Sequence, residues 1–204
     1  MTITYEVENG LYINITNRCS NFCEFCIRKN GDGAYGSESL WLVREPTVEE
    51  IKADLDRRDL SKYSEVVFCG YGEPSYRLIE AREVALYLKS KMPTLPIRIN
   101  TNGHSDLIHS EDTAPLYKDA FDTVSISLNT PSAKKYVEIC HPVFKEKSFE
   151  ALQIFAKNVK KCVQSTVFSV VKETLSESEL AECKAIAEQC GVTLKVRTYI
   201  PPEK

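Results

Sequence analysis

Cys19, Cys23 and Cys26 fall within the eight-residue stretch Cys19-Ser20-Asn21-Phe22-Cys23-Glu24-Phe25-Cys26, a C-x-x-x-C-x-x-C spacing. Three thiolates this close can face one centre if the chain loops around it, and thiolates suit zinc and iron–sulfur clusters. Structural zinc usually takes four ligands, often from two paired knuckles. No second C-x-x-C follows, because Cys69, Cys140, Cys162, Cys183 and Cys190 all stand alone. Three cysteines on a four-iron cluster would leave one iron without a protein ligand, open to a small molecule. Spacing alone leaves open such a cluster, a partial zinc site or three incidental thiols. Phe25 lies between the second and third cysteine, where an aromatic covers a bound group or packs in the core.

A second motif is Cys69-Gly70-Tyr71-Gly72-Glu73-Pro74. Its glycines allow close backbone approach to a ligand, and Glu73 is an acceptor for an ammonium group. A third set is polar and sits at expected strand ends: Asn100, Thr101 and Asn102; Ser125, Ser127 and Asn129; Lys172; Arg197 and Tyr199. Polar groups converging on one rim of a parallel sheet suggest a binding site. Read singly, each is a turn residue or helix cap, and Asn102-Gly103 is a common turn.

The elements that must position these residues alternate along the chain. Strands are predicted over 11–16, 65–69, 97–100, 122–128, 165–171 and 193–200, and helices over 47–58, 79–91, 132–139, 148–161 and 176–190. Thr47 with Glu50, and Ser176 with Glu179, form capping boxes, and Gly191 ends the last helix. Alternation of this kind predicts an α/β fold: a parallel sheet with outer helices, a partial (β/α)6 TIM-like barrel in a single domain over 1–204. Each motif then falls at the C-terminal end of a strand, where β/α folds place their chemistry. Residues 29–46 break the rhythm. They carry three of the eight glycines and the only tryptophan, Trp41.

The 204 residues hold 26 Lys plus Arg against 29 Asp plus Glu, a net charge of −3, so no basic excess argues for nucleic acid. No apolar run approaches the ~20 residues that span a bilayer, and the first residues lack the pattern of a signal peptide. A cytoplasmic protein with free thiols is expected. Cys183 and Cys190, in helical register with Leu180 and Ala187, read as core residues. His104, His109 and His141 read as isolated loop residues.

Cys19, Cys23, Phe25 and Cys26 match the C-x-x-x-C-x-aromatic-C signature of the radical S-adenosylmethionine (SAM) superfamily, and Gly70-Tyr71-Gly72-Glu73-Pro74 resembles its Gly-Gly-Glu motif with Tyr71 interposed. Further stretches extend the likeness: Cys26-Ile27-Arg28, Leu40-Trp41-Leu42, Arg98-Ile99-Asn100-Thr101-Asn102-Gly103, Ser125-Ile126-Ser127-Leu128-Asn129 and Arg197-Thr198-Tyr199-Ile200 resemble the short TatD family-associated radical SAM proteins. The resemblance implies a [4Fe–4S] cluster on Cys19, Cys23 and Cys26. It implies SAM held by Gly70, Gly72 and Glu73 at its amino group, by Ser127, Asn129 and Asn100 at ribose and carboxylate, and by Phe25 and Tyr199 around adenine.

The implied activity is reductive cleavage of SAM to a 5′-deoxyadenosyl radical that abstracts hydrogen from a substrate. An electron donor such as flavodoxin or ferredoxin would feed it. The alternatives are an activase that makes a glycyl radical on a partner protein and, in a different class, a non-catalytic zinc-binding module. A strand-5 Gly-x-Ile-x-Gly-x-x-Glu motif is not evident in 165–173, and Cys140 is a candidate extra cysteine or a buried thiol. Six β/α units use almost the whole chain, which leads to the expectation of an open side covered by 29–46 or by a partner.

Overall fold

The computed structural model describes residues 1–199. The predicted tails of the last strand, Ile200, and of the chain, 201–204, lie outside the described residues. Seven strands form one sheet in chain order: β1 (Thr4–Val7), β2 (Gly10–Ile13), β3 (Glu65–Phe68), β4 (Ile97–Thr101), β5 (Thr123–Ser127), β6 (Ser165–Val171) and β7 (Thr193–Arg197). β2 to β7 are parallel, as the alternation predicts. β1 is a correction, because it adds an antiparallel strand outside β2 through a two-residue turn, pairing Val7 with Gly10 and Thr4 with Ile13. The first parallel strand also ends earlier than expected. From Asn14 onward the chain leaves the β2–β3 ladder, although Asn14 N still donates to Ile3 O at 2.8 Å. β1 and β7 pair with only one neighbour each, so the sheet stays open.

Helices α1 (Val48–Asp56), α2 (Leu78–Lys91), α3 (Ser105–His109), α4 (Ala114–Tyr117), α5 (Ala133–Cys140), α6 (Lys147–Val159) and α7 (Glu177–Cys190) return the chain between strands. Both predicted capping boxes form, Thr47 with Glu50 on α1 and Ser176 with Glu179 on α7. Gly191 closes α7 at φ 67°, a left-handed conformation that costs glycine nothing. Ser132 caps α5, and His141 ends it at φ 43°. The short α3 and α4 have too few turns to show a periodicity, which is why the sequence reading missed them.

Strand side chains alternate between faces. Leu11 and Ile13, Val66 and Phe68, Ile97 and Ile99, Val124 and Ile126, and Phe168 and Val170 point outward and pack with Ile51, Leu55, Val84, Leu88, Leu152 and Phe155 of the helices. Cys183 and Cys190 belong to this core, as expected. Each such side chain contributes ~1.5–3 kcal/mol by leaving water. The inner face differs. A closed eight-stranded barrel fills its interior with branched apolar side chains, but here that face carries Tyr12, Glu65, Cys69, Arg98, Asn100, Ser125, Ser127, Ser169 and Arg197 beside Val67, Val167 and Val171. Arg98 pairs with Glu65 through Nε at 3.0 Å and Nη2 at 2.6 Å, and its Nη1 donates to Asn100 Oδ1 at 2.8 Å. A polar interior is affordable only because the sheet is open, so charges and hydroxyls remain near solvent.

Candidate active site

The cysteine loop leaves β2 and closes on the C-terminal end of α5. Phe22 N donates to Cys140 O and Glu24 N to Ile139 O, both at 2.9 Å, and Val143 N donates to Ser20 O at 2.8 Å. The last carbonyls of a helix have no partner inside the helix, and the loop supplies donors for two of them. Beneath the loop lies a buried polar network. Asn102 Nδ2 donates to Ser20 Oγ at 2.8 Å, Ser20 Oγ meets His104 Nδ1 at 3.0 Å, and His104 Nε2 lies 3.3 Å from Tyr136 Oη. Asn21 Nδ2 donates to the same Tyr136 Oη at 2.9 Å. His104 lies in a loop, as expected, but it is not isolated. It is fully buried, and burial pulls its pKa down to about 4, so it is a neutral strut.

The turn after β3 locks against this loop. A Cβ on Gly72 would stand 2.2 Å from Thr16 O and 2.7 Å from Arg18 O, so only glycine lets the two backbones meet. Gly70 is similarly pressed against Asn14, where a Cβ would stand 2.1 Å from Oδ1. Glu73 is buried, and its carboxylate accepts three hydrogen bonds: Oε1 accepts from Thr101 Oγ1 at 2.8 Å and from Ser75 N at 3.0 Å, and Oε2 accepts from Asn102 N at 2.6 Å. That carboxylate joins the β3 turn to the end of β4, and burial raises its pKa. Tyr71, interposed between the glycines, turns away from the cavity. Its hydroxyl lies 2.8 Å from both Gly31 O and Gly33 O, and its ring meets Trp41 edge-on.

One cavity of about 280 Å³ opens at the C-terminal ends of the strands. Cys19, Cys23, Cys26, Phe25, Gly72, Glu73, Asn100, Ser127, Asn129 and Tyr199 all line it. Among the residues that the resemblance assigns to cluster and SAM only Gly70 does not line it, and of the strand-end polar set Ser125 and Lys172 do not either. Sequence reading also missed Asn21, Tyr35, Cys69 and Ser169. Cys69 was read as the end of an apolar strand, but it is half-buried and faces the cavity. Ser169 was findable, because it pairs in register with Ser127 and alternates with the apolar Phe168 and Val170. Tyr35 carries no such signal. It is brought in by the 29–46 segment, at φ 58°. That segment is no free lid. Asn14 Nδ2 donates to Leu40 O at 2.7 Å, Asn17 bonds Leu42 in both directions, and Tyr71 holds the glycines. Its start reaches across the open side, where Asn30 Nδ2 donates to Tyr199 Oη at 3.4 Å.

All three loop cysteines are free thiols in dehydrating surroundings. Burial, with Glu73 nearby, pushes Cys19 up to about 12. A hydrogen bond with the Cys140 thiol, together with burial, raises Cys23, and burial raises Cys26. Cys140 is itself buried and accepts from Asn129 Nδ2 at 3.3 Å. Thiols held neutral in this way become ligands only as metal displaces their protons. Among the described residues no three His, Cys, Asp or Glu side chains close on a single-ion site. The three thiols of the loop share the wall of one cavity, which Cys69 at the end of β3 also lines, and the loop itself offers three thiolates and no fourth. The donor set therefore fits a cubane with one iron left to a small ligand. No helix among the described residues is long and apolar enough to cross a membrane.

Known proteins supply an independent comparison. No curated protein sequence matches the chain. Among solved structures, SuiB of Streptococcus suis bound to S-adenosylmethionine superposes with a TM-score of 0.64 at 16% identity, over 95% of this chain and 39% of that one. A radical SAM methyltransferase from Sphaerobacter thermophilus gives 0.63 at 16% identity, over 95% and 57%. HydG, a maturase of the [FeFe]-hydrogenase, gives 0.67 at 13% identity, over 94% and 43%. At such identities the likeness is one of fold, and the chain spans between two fifths and three fifths of the length of these structures. The family model described as Radical SAM superfamily matches residues 13–184, from the end of β2 through the cysteine loop and into α7, and by that match the chain belongs to the radical SAM superfamily.

Proposed function

We propose that this protein is a radical SAM enzyme. A [4Fe–4S] cluster on Cys19, Cys23 and Cys26, with SAM on the iron that the chain leaves free, supplies one-electron cleavage of the sulfonium and a 5′-deoxyadenosyl radical. The observation that carries the reading is the sharing of one cavity by the three thiols, Gly72, Glu73, Ser127 and Asn129. The chain's own work is binding and aim. Ser127 and Asn129 present a hydroxyl and an amide at the end of β5 for ribose and carboxylate, with Asn100 beside them. Phe25 and Tyr199 stand at the mouth as faces for adenine. The Glu73 carboxylate accepts two bonds on Oε1 and one on Oε2, which leaves one acceptor position on Oε2 for the SAM ammonium group beside the backbone of the β3 turn. Gly70 supports that turn from behind.

The subfamily reading, a TatD-associated radical SAM protein acting in the cytoplasm, rests on the sequence resemblance and on eight free cysteines suited to a reducing compartment. A flavodoxin- or ferredoxin-type donor is proposed for the electron. The zinc-module and glycyl-radical activase alternatives gain no support from the described residues. The test is anaerobic reconstitution, reduction with dithionite and addition of SAM. The expected result is about four irons and four sulfides per chain, with 5′-deoxyadenosine formed. An intact cluster that yields no deoxyadenosine overturns the reading.

A further inference from the structure

Two arginines face the interior of the open barrel, and they differ in how completely they are used. Arg98 is saturated. It makes a bidentate pair with Glu65, donates to Asn100 Oδ1 and reaches Tyr12 Oη at 3.4 Å. Arg197, at the end of β7, makes one hydrogen bond, from Nη2 to Ser125 Oγ at 3.0 Å. Its Nε is buried and has no partner. No carboxylate among the described residues lies within ion-pair distance of it, although fourteen such pairs occur elsewhere on the chain.

A buried guanidinium N–H without an acceptor is costly, on the order of 1–3 kcal/mol for the unmade bond. Such a group is normally paired, and a donor left over on a cavity wall is placed to meet water or a ligand. Arg197 lines the same cavity as the cysteines and Ser127. Its hydroxyl partner, Ser125, lies two residues before Ser127 on β5 and pairs in register with Asn100. The inner-face carboxylate on β3, Glu65, is already paired with Arg98, and the carboxylate that lines the cavity, Glu73, is bonded to Thr101, Ser75 and Asn102.

We propose that Arg197 binds an anionic group of the hydrogen-donating substrate, a carboxylate or a phosphate, with its planar fork of donors. The substrate would lie in the cavity beside SAM, anchored by Arg197 on β7, with Tyr35 of the 29–46 segment on the cavity wall. This inference rests on the radical SAM reading for its account of the chemistry, but the anion site itself is a property of the chain. A carboxylate at this guanidinium has two sources, the substrate or SAM itself; the groups proposed for SAM, Asn100, Ser127 and Asn129, belong to β4 and the end of β5, and the place of Arg197 two strands away on β7 favours the substrate.

Wild-type, R197K and R197Q proteins, each reconstituted with cluster, separate the outcomes. Equilibrium dialysis measures SAM affinity, dithionite-driven 5′-deoxyadenosine formation without added substrate measures cleavage, and melting temperature at constant ionic strength and saturating SAM reads the response to succinate, inorganic phosphate or uncharged succinamide. The expected result is a rise in melting temperature of several degrees with succinate or phosphate in wild type and R197K. R197Q should show no such rise, succinamide should be inert, and SAM affinity should stay within threefold in all three proteins. Equal anion responses in wild type and R197Q overturn the proposal. So does a tenfold or greater loss of SAM affinity in R197Q, which would assign the guanidinium to the SAM carboxylate. A wild-type protein that cleaves no SAM yet shows the Arg197-dependent response overturns the radical reading and leaves the anion site standing.

Discussion

On the β2–β4 side of the cavity, the Glu73 carboxylate accepts three hydrogen bonds, Asn102 spans Ser20 and the cysteine loop, and His104 joins Ser20 to Tyr136. On the β5–β7 side, Ser169 Oγ has only a long 3.5 Å contact to Ile126 O, and Arg197 holds one bond with its Nε unmatched. Both sides are polar, but the first carries a dense protein network that leaves Asn14 Oδ1, Asn21 Oδ1 and Ser75 Oγ unmatched at its edges, whereas the second presents Ser169 and Arg197 with few protein partners at all. Metal ligands must be held to tight tolerance by surrounding hydrogen bonds, whereas a wall that meets exchanging small molecules keeps its donors and acceptors free. The difference teaches which half of the cavity is scaffold and which half is receptor.

The contrast can be broken or sharpened by substitution. The largest effect is expected at the thiols. Cys19→Ala, Cys23→Ala or Cys26→Ala should lower bound iron from about four to below about one per chain after reconstitution, given three required thiolates. Deoxyadenosine formation should become undetectable while the fold survives by circular dichroism. A cysteine variant that keeps its iron and activity would place the cluster elsewhere.

A smaller effect is expected at His104. Its folded pKa, about 4, lies below the unfolded value of 6.5. Its contribution is therefore complete above pH 6.5 and is lost as pH falls toward 4, amounting to about 3 kcal/mol for one such group. Urea denaturation from pH 7 to pH 4 should show this slope in wild type, and His104→Gln should flatten it. An unchanged slope would remove His104 from the scaffold.

Next comes Glu73→Gln, which turns an amide donor toward the N–H of Asn102 or Ser75 and should cost about 2 kcal/mol in urea denaturation. A neutral result would mean that the scaffold half is no better matched than the other. Tyr71→Phe should cost about 1 kcal/mol through its lost hydroxyl bond. Its signature is faster amide exchange confined to residues 31–40, with iron content unchanged. Smallest of all, Ser169→Ala on the receptor half should change stability by less than about 0.5 kcal/mol, because its hydroxyl has little to lose. A large loss of stability there would dissolve the distinction between the halves.

Much of this was legible in the sequence, for identifiable reasons. The six parallel strands read out because their outward residues are apolar and bounded by caps such as Thr47 and Ser176, and because the 3.6 and 2.0 periods differ. The cysteine spacing and the β3 turn are local patterns, so they read out too. β1 was missed because its Thr4, Tyr5 and Glu6 carry no apolar run, and its only signal is pairing with β2. The use of Glu73 was also hidden. An acidic residue after two glycines is equally consistent with a free acceptor and with one already bonded, and only the placement of Thr101 and Asn102, 28 and 29 residues on, decides it. His104 and Tyr71 act through partners far along the chain, a distance over which no sequence period carries information.

That distance has a consequence in time. The strands lie in the sheet in the order in which they are synthesised, so each new strand finds its neighbour's edge already present. The cysteines are made well before the groups that shape their loop: Asn102 stands 82 residues after Ser20, and Tyr136 stands 115 after Asn21. Until α5 is made, the Phe22 and Glu24 amides have no carbonyls to meet. The thiols wait for α5 before their loop has its final shape, so loading of the proposed cluster follows synthesis through Cys140, a maturation step set by the order of the fold.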